Sequence, residues 1–220
     1  TILALLSLFF GVFCTRSAFA GPFGIDMGMS LKQVRAVCKT EPEHIRDGWY
    51  LITPPKTHNM FEAYGVRIDP EYGVYMLKAV GKDIYTNGYG EDLKVVFEEL
   101  VQSIRNTYGE ESKRTDGLQE GSIWSDPDKF MYSLSVGDRS LSAMWADKSY
   151  AQAMMRKVSD LIASDAKERE VSDTTGMNAL ILSQLRFPEK LPNNVGSIIV
   201  EAKAKSPTEG YLVLDYYFSN

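Results

Sequence analysis

Two histidines, one cysteine beyond the N-terminal stretch and 29 acidic residues are the material for chemistry in this chain of 220 residues. Zinc wants three or four ligands in a fixed geometry. His44 and His58 lie 14 residues apart in loop-like stretches, and Cys38 falls on the apolar face of a predicted helix with Leu31 and Val34. These three do not make a ligand set, and Cys38 reads as a small buried hydrophobe. Ser164-Asp-Ala-Lys167 has the Ser-x-x-Lys spacing that in serine acylases sets a lysine one helical turn from the nucleophile. The accompanying Ser-Asp-Asn and Lys-Thr-Gly elements are missing; Lys56-Thr57-His58 is the nearest approach and lacks the glycine. Glu91-Asp92 and Asp126-Pro-Asp128 fall at predicted helix N-termini, where capping and the helix dipole account for them. Neither has the alternating oxygen ligands and central glycine of an EF-hand loop. There is no Gly-rich phosphate loop, no His-Glu-x-x-His, no Gly-x-Ser-x-Gly and no Cys-x-x-Cys. The sequence therefore marks no catalytic residue, no metal ligand and no cofactor site.

Aromatic residues are the remaining signal. Trp49, Tyr72, Tyr75, Tyr85, Tyr89, Tyr216 and Tyr217 gather around predicted strands and turns. Core packing accounts for most such residues. Tyrosine and tryptophan also anchor interfaces, and the loop Asp83–Tyr89 carries the two candidates for a partner surface, Tyr85 and Tyr89.

The elements that must position these residues follow from periodicity and punctuation. Ser30-Leu-Lys-Gln33 is a capping box, with Met29 and Val34 as its staple, so a helix is expected from about Ser30 to Lys39. Trp49–Thr53 reads as a strand stopped by Pro54-Pro55. Met60–Asp69 alternates, Asp69-Pro-Glu-Tyr-Gly73 turns, and Val74–Ile84 returns. Leu93, Val96, Phe97, Leu100, Val101, Ile104 and Tyr108 then mark one face of a helix that Gly109 stops. Residues 110–121 are polar with two glycines and read as a surface linker, the candidate for a boundary within the domain. A short helix after Asp126-Pro127, a strand over Ser140–Trp145 and a long amphipathic helix over Lys148–Arg169 follow. Ser172–Gly176 reads as a break, and Asn178–Phe187 as helix or strand. The chain closes on a hairpin: Ile198, Val200, Ala202 and Ala204 face inward, Ser206–Gly210 turns and Tyr211–Phe218 returns. Hairpins and helices in runs, without strict βαβ alternation, predict an α+β fold: an antiparallel sheet of at least two hairpins with amphipathic helices packed on it.

The first 20 residues stand apart. Ile2–Cys14 is a 13-residue apolar run, shorter than the roughly 20 residues that cross a bilayer and suited to the h-region of a secretory signal. Ala18 and Ala20 are the small residues a signal peptidase reads, so a cut is expected between Ala20 and Gly21. A lipoprotein signal on Cys14 would want Leu and a small residue where Gly11 and Phe13 stand. The expected mature chain, 21–220, loses Arg16 and balances 23 basic against 29 acidic residues, a net of −6. It lacks the basic surplus that nucleic-acid binding or a polybasic membrane surface needs, and with Cys38 alone it forms no internal disulfide.

Phe23-Gly-Ile-Asp-Met-Gly-Met-Ser-Leu-Lys-Gln-Val34 resembles the opening of small envelope proteins of the outer-membrane assembly lipoprotein and β-lactamase-inhibitor-like fold. That resemblance implies a binding module with helices on an antiparallel sheet. The chain departs from it in length and in having no lipidated cysteine, and more broadly it resembles exported proteins of Gram-negative bacteria. The expectation is a periplasmic or secreted protein without a membrane span after processing, working as a non-enzymatic binding or envelope-accessory module with an envelope protein as partner. The alternative is an envelope-polymer hydrolase using carboxylate and histidine acid–base chemistry, which would need a cleft with converging ionisable groups.

Overall fold

The structure, a computed structural model, describes residues 21–156 and 187–218. An antiparallel nine-stranded sheet organises them, as the α+β expectation required. Four strands, β1 (Glu43–Arg46), β2 (Trp49–Ile52), β3 (Phe61–Asp69) and β4 (Gly73–Gly81), run in sequence order from one edge to the middle. From the other edge come β6 (Lys113–Leu118), β7 (Arg139–Ala146), β8 (Val195–Ser206) and β9 (Glu209–Phe218). The two meanders meet where β4 pairs with β9, and the short β5 (Ile84–Tyr85) pairs with the start of β9.

Local chemistry sets these elements. Ser30 and Gln33 form both halves of the capping box on α1 (Leu31–Val37). The helix ends two residues before the expected Lys39, with Cys38 extended at its C-cap and partly buried. The β3–β4 turn is held by Asp69 Oδ1, which accepts from the backbone of Glu71 and Tyr72. Gly73 adopts φ +77, and a Cβ there would lie 2.3 Å from the Gly28 carbonyl oxygen. The β1–β2 hairpin turns on Asp47 and Gly48, both at positive φ, the signature of a type I′ turn.

One face of the sheet is the core. Tyr64, Val66, Leu77, Ala79, Ile198, Val200, Leu212, Leu214 and Tyr216 are buried there. Against it lie α2 (Glu91–Tyr108), through Leu93, Phe97, Leu100, Val101 and Ile104, and α3 (Phe130–Ser135), through Phe130, Met131 and Leu134. The opposite face carries Lys78 on β4 beside Asp215 on β9, a 2.8 Å ion pair at the seam of the two meanders.

Three expectations are corrected. The stretch 110–121 is not a linker throughout, because Lys113–Leu118 form β6 at the edge of the sheet. The stretch has few apolar residues because charged side chains protect an open strand edge. Arg114 reaches Glu98 on α2, and Arg139 pairs with Asp116. The return strand expected over Val74–Ile84 divides into β4 and β5: the Lys82 N–H donates to the Met60 carbonyl at 3.0 Å, and pairing with β9 resumes at Ile84. The stretch around His44, expected to be loop-like, is β1: all four of its residues are exposed, so no apolar alternation marks it. Residues 148–156 are helical as expected, with Ala151 buried and Met154 exposed. The rest of the stretch expected to be helical, 157–169 with Ser164–Lys167, the break expected at 172–176, residues 178–186 and the N-terminal segment 1–20 lie outside the described residues.

Candidate functional site

The loop after β5 is built from both meanders and two helices. Tyr85 pairs with Glu209 and Ile84 with Gly210, at the tip of the β8–β9 hairpin. The Thr86 N–H donates to the Thr208 carbonyl at 3.0 Å. The Gly90 N–H closes a turn onto the Asn87 carbonyl at 2.8 Å, and the Met131 N–H of α3 donates to the Gly88 carbonyl at 3.0 Å. The exposed donors at the start of α2 turn back to the same loop: Asp92 N–H to Thr86 Oγ1 and Glu91 N–H to Asn87 Oδ1. Both glycines are required. A Cβ on Gly88 would lie 2.5 Å from the Asp128 carbonyl oxygen, and Gly90, at φ +69, would drive one to 2.5 Å from the Phe130 ring. The backbone of residues 84–90 is thus fixed on three sides.

The two tyrosines on it are not. Tyr85 is 75% exposed and Tyr89 48%, and neither meets another ring among the described residues. Their surroundings are mainly acidic. Lys205 pairs with Asp83 and lies 3.6 Å from Glu209; its hydrogen bond holds the Asp83 carboxyl below the usual range. Glu91 and Asp92 occupy the first turn of α2, as the sequence reading placed them. A second apolar patch sits on the outer side of α3. Trp124 meets Tyr132 edge-to-face at 4.5 Å, with Ile123 and Val136 exposed beside them. Sequence reasoning missed these residues. The signal was there in Ile123-Trp124, two large apolar side chains in a polar stretch with no periodicity to bury them.

The other candidates do not converge. His44 is exposed on β1 against Tyr50, and Cys38 is half-buried, with its thiol pKa pushed up by burial. No group of three or more histidine, cysteine or acidic side chains able to hold a metal exists among the described residues. His58 and Glu99 do share a groove of ≈ 290 Å³ beside α2, floored by Phe23, Phe61, Tyr108 and Tyr216. Tyr216 is core, its hydroxyl pushed far up by burial. Trp49 lies over Gly65, Tyr72 and Tyr75 flank a shallow hollow with Phe218, and Tyr217 lies on the opposite face of the sheet. Asp126 and Asp128 begin the turn leading into α3. Gly21 is buried, while Ala18 and Ala20 lie outside the described residues.

Among the described residues no helix is long and apolar enough to cross a membrane. No family model, no curated protein and no solved structure matches the chain.

Proposed function

We propose that the chain is a non-enzymatic binding module, exported to the periplasm or beyond, that docks an envelope protein through Tyr85 and Tyr89. The observation that carries this reading is two exposed tyrosines on a backbone pinned to β9, α2 and α3. A flexible loop loses entropy on docking, and a pinned one has already lost it. Tyrosine offers large contact area and a polar tip at the cost of two torsions. Export is supported by the apolar run Ile2–Cys14 and by Ala18 and Ala20.

The test is retention of envelope proteins on immobilised chain. One partner held near stoichiometry by the unaltered chain and lost by a Tyr85→Ser/Tyr89→Ser variant supports the reading. Equal retention by both moves the interface elsewhere. The hydrolase alternative rests on His58 and Glu99 lining one groove. Release of soluble fragments from envelope polymers, abolished by Glu99→Gln, would favour it over the binding reading.

A further inference from the structure

The N-terminal turn sets a carboxylate against a buried backbone nitrogen. The backbone nitrogen of Gly21 lies 2.5 Å from Asp26 Oδ1. Asp26 makes no ion pair among the described residues, so its carboxylate has this nitrogen as its partner and no cation. The site is tight: a Cβ on Gly21 would lie 2.2 Å from the Ile25 carbonyl oxygen, so glycine alone fits. Within the loop that this contact closes, Phe23 is held at φ +56, a region costly for a bulky side chain. In exchange its ring meets Phe61, Tyr64 and Tyr216 at 5.0–6.2 Å, and Ile25 is fully buried. The Lys56 N–H donates to the Phe23 carbonyl, and Gly28 and Met29 exchange backbone bonds with Val74. The turn thus plugs the end of the core.

Gly21 is also the residue that follows the expected signal-peptidase cut. We infer that hydrolysis of the Ala20–Gly21 bond places the new α-ammonium of Gly21 in an ion pair with the Asp26 carboxylate, and that this pair locks the turn onto the sheet. In that step water supplies the hydroxyl that Ala20 retains as a carboxylate. Both protons of that water go to the released nitrogen, one as the C–N bond breaks and one from the new carboxylic acid, so that the N–H becomes –NH3⁺. A charge-assisted bond is about twice as strong as the neutral one it replaces. Processing would then finish the fold as well as release the chain. This inference rests on the export reading.

The experiment compares residues 21–220 with chains that keep the peptide bond, residues 20–220 and the full 1–220, each with Asp26 or with Asp26→Asn. At pH 6 the chain beginning at Gly21 should melt about 3–6 °C above the other two. Asp26→Asn should remove most of that advantage and cost the longer chains less. An α-amino group titrates at about 7.7–8.0 when free. The pair raises this value in the folded state, so the advantage is full below about pH 7.7, falls as pH rises through the raised value and is gone by about pH 10. Lys56, His58 and Glu99, on the elements packed against the turn, are common to all the chains and cancel. Equal melting at pH 6, or a difference that ignores pH, would overturn the pair. The N-terminus and location of the full chain 1–220 expressed in Gram-negative cells separate the two readings. An uncut chain that stays in the cytoplasm refutes export itself, and an uncut chain outside it refutes the Gly21 pair. A cut at another bond refutes the Gly21 pair and leaves export standing. A cut at Gly21 supports both.

Discussion

Two sets of aromatic rings in this molecule receive opposite treatment. Phe23, Phe61, Tyr64 and Tyr216 interlock edge-to-face at the end of the core, and one of them sits on an unfavourable backbone to do so. Tyr85 and Tyr89 sit on a backbone held by hydrogen bonds at every turn, yet their rings go into water. In the first set the backbone is bent to bury the rings. In the second the backbone is fixed and the rings stay largely out, which adds little to folding and is the surface on which the proposed docking rests.

The largest effect should come from breaking the first set. Phe61→Ala removes a ring that touches Phe23, Tyr64 and His58 and is nearly fully buried. Denaturant titration should show a loss of about 3–5 kcal/mol. A loss within 0.5 kcal/mol, as at a surface site, would break the contrast.

A third environment sharpens it. On the opposite face of the sheet Tyr217 lies 5.8 Å from Tyr150 and beside Asp215. Burial first, and then the nearby carboxylate, push the Tyr217 hydroxyl up to about 12. Asp215 Oδ2 pairs with Lys78, and Oδ1 is buried with no hydrogen-bond partner. Burial raises the Asp215 pKa, and Lys78 opposes that rise. A carboxyl with a raised folded pKa adds stability that is full below its unfolded value, about 3.9, and lost as pH rises through the folded value. Removing the cation with Lys78→Met should raise the folded value further and cost about 2 kcal/mol at pH 7, less than for a fully buried pair because Lys78 is partly exposed. The same variant should recover toward pH 4, and Lys78→Met/Asp215→Asn should flatten the profile. A loss independent of pH would refute the pairing.

How much of this the sequence carried depends on range. Local signals survived: the capping box at Ser30 and Gln33, the turn at Asp69–Gly73, and the apolar stripe from Leu93 to Ile104. β1 also has a local signal, since Asp47-Gly48 is a strong hairpin dipeptide. β6 could not be read from periodicity, because its charges answer to an open edge and to Glu98 and Arg139. Lys78 and Asp215 are 137 residues apart and meet only through the β4–β9 register. Tyr85 and Tyr89 were named from the sequence as candidates. Their exposure depends on β5 pairing with the tip of a hairpin more than 100 residues away, which no local pattern encodes.

The smallest expected change in stability belongs to the central claim. Tyr85→Ser/Tyr89→Ser should melt with the unaltered chain to within about 0.5 kcal/mol, while its affinity for the captured envelope partner, titrated by calorimetry, falls at least about 100-fold, roughly tenfold for each anchoring ring. Unchanged affinity in a fully folded variant would contradict the account and show that the exposed rings are not where this protein binds.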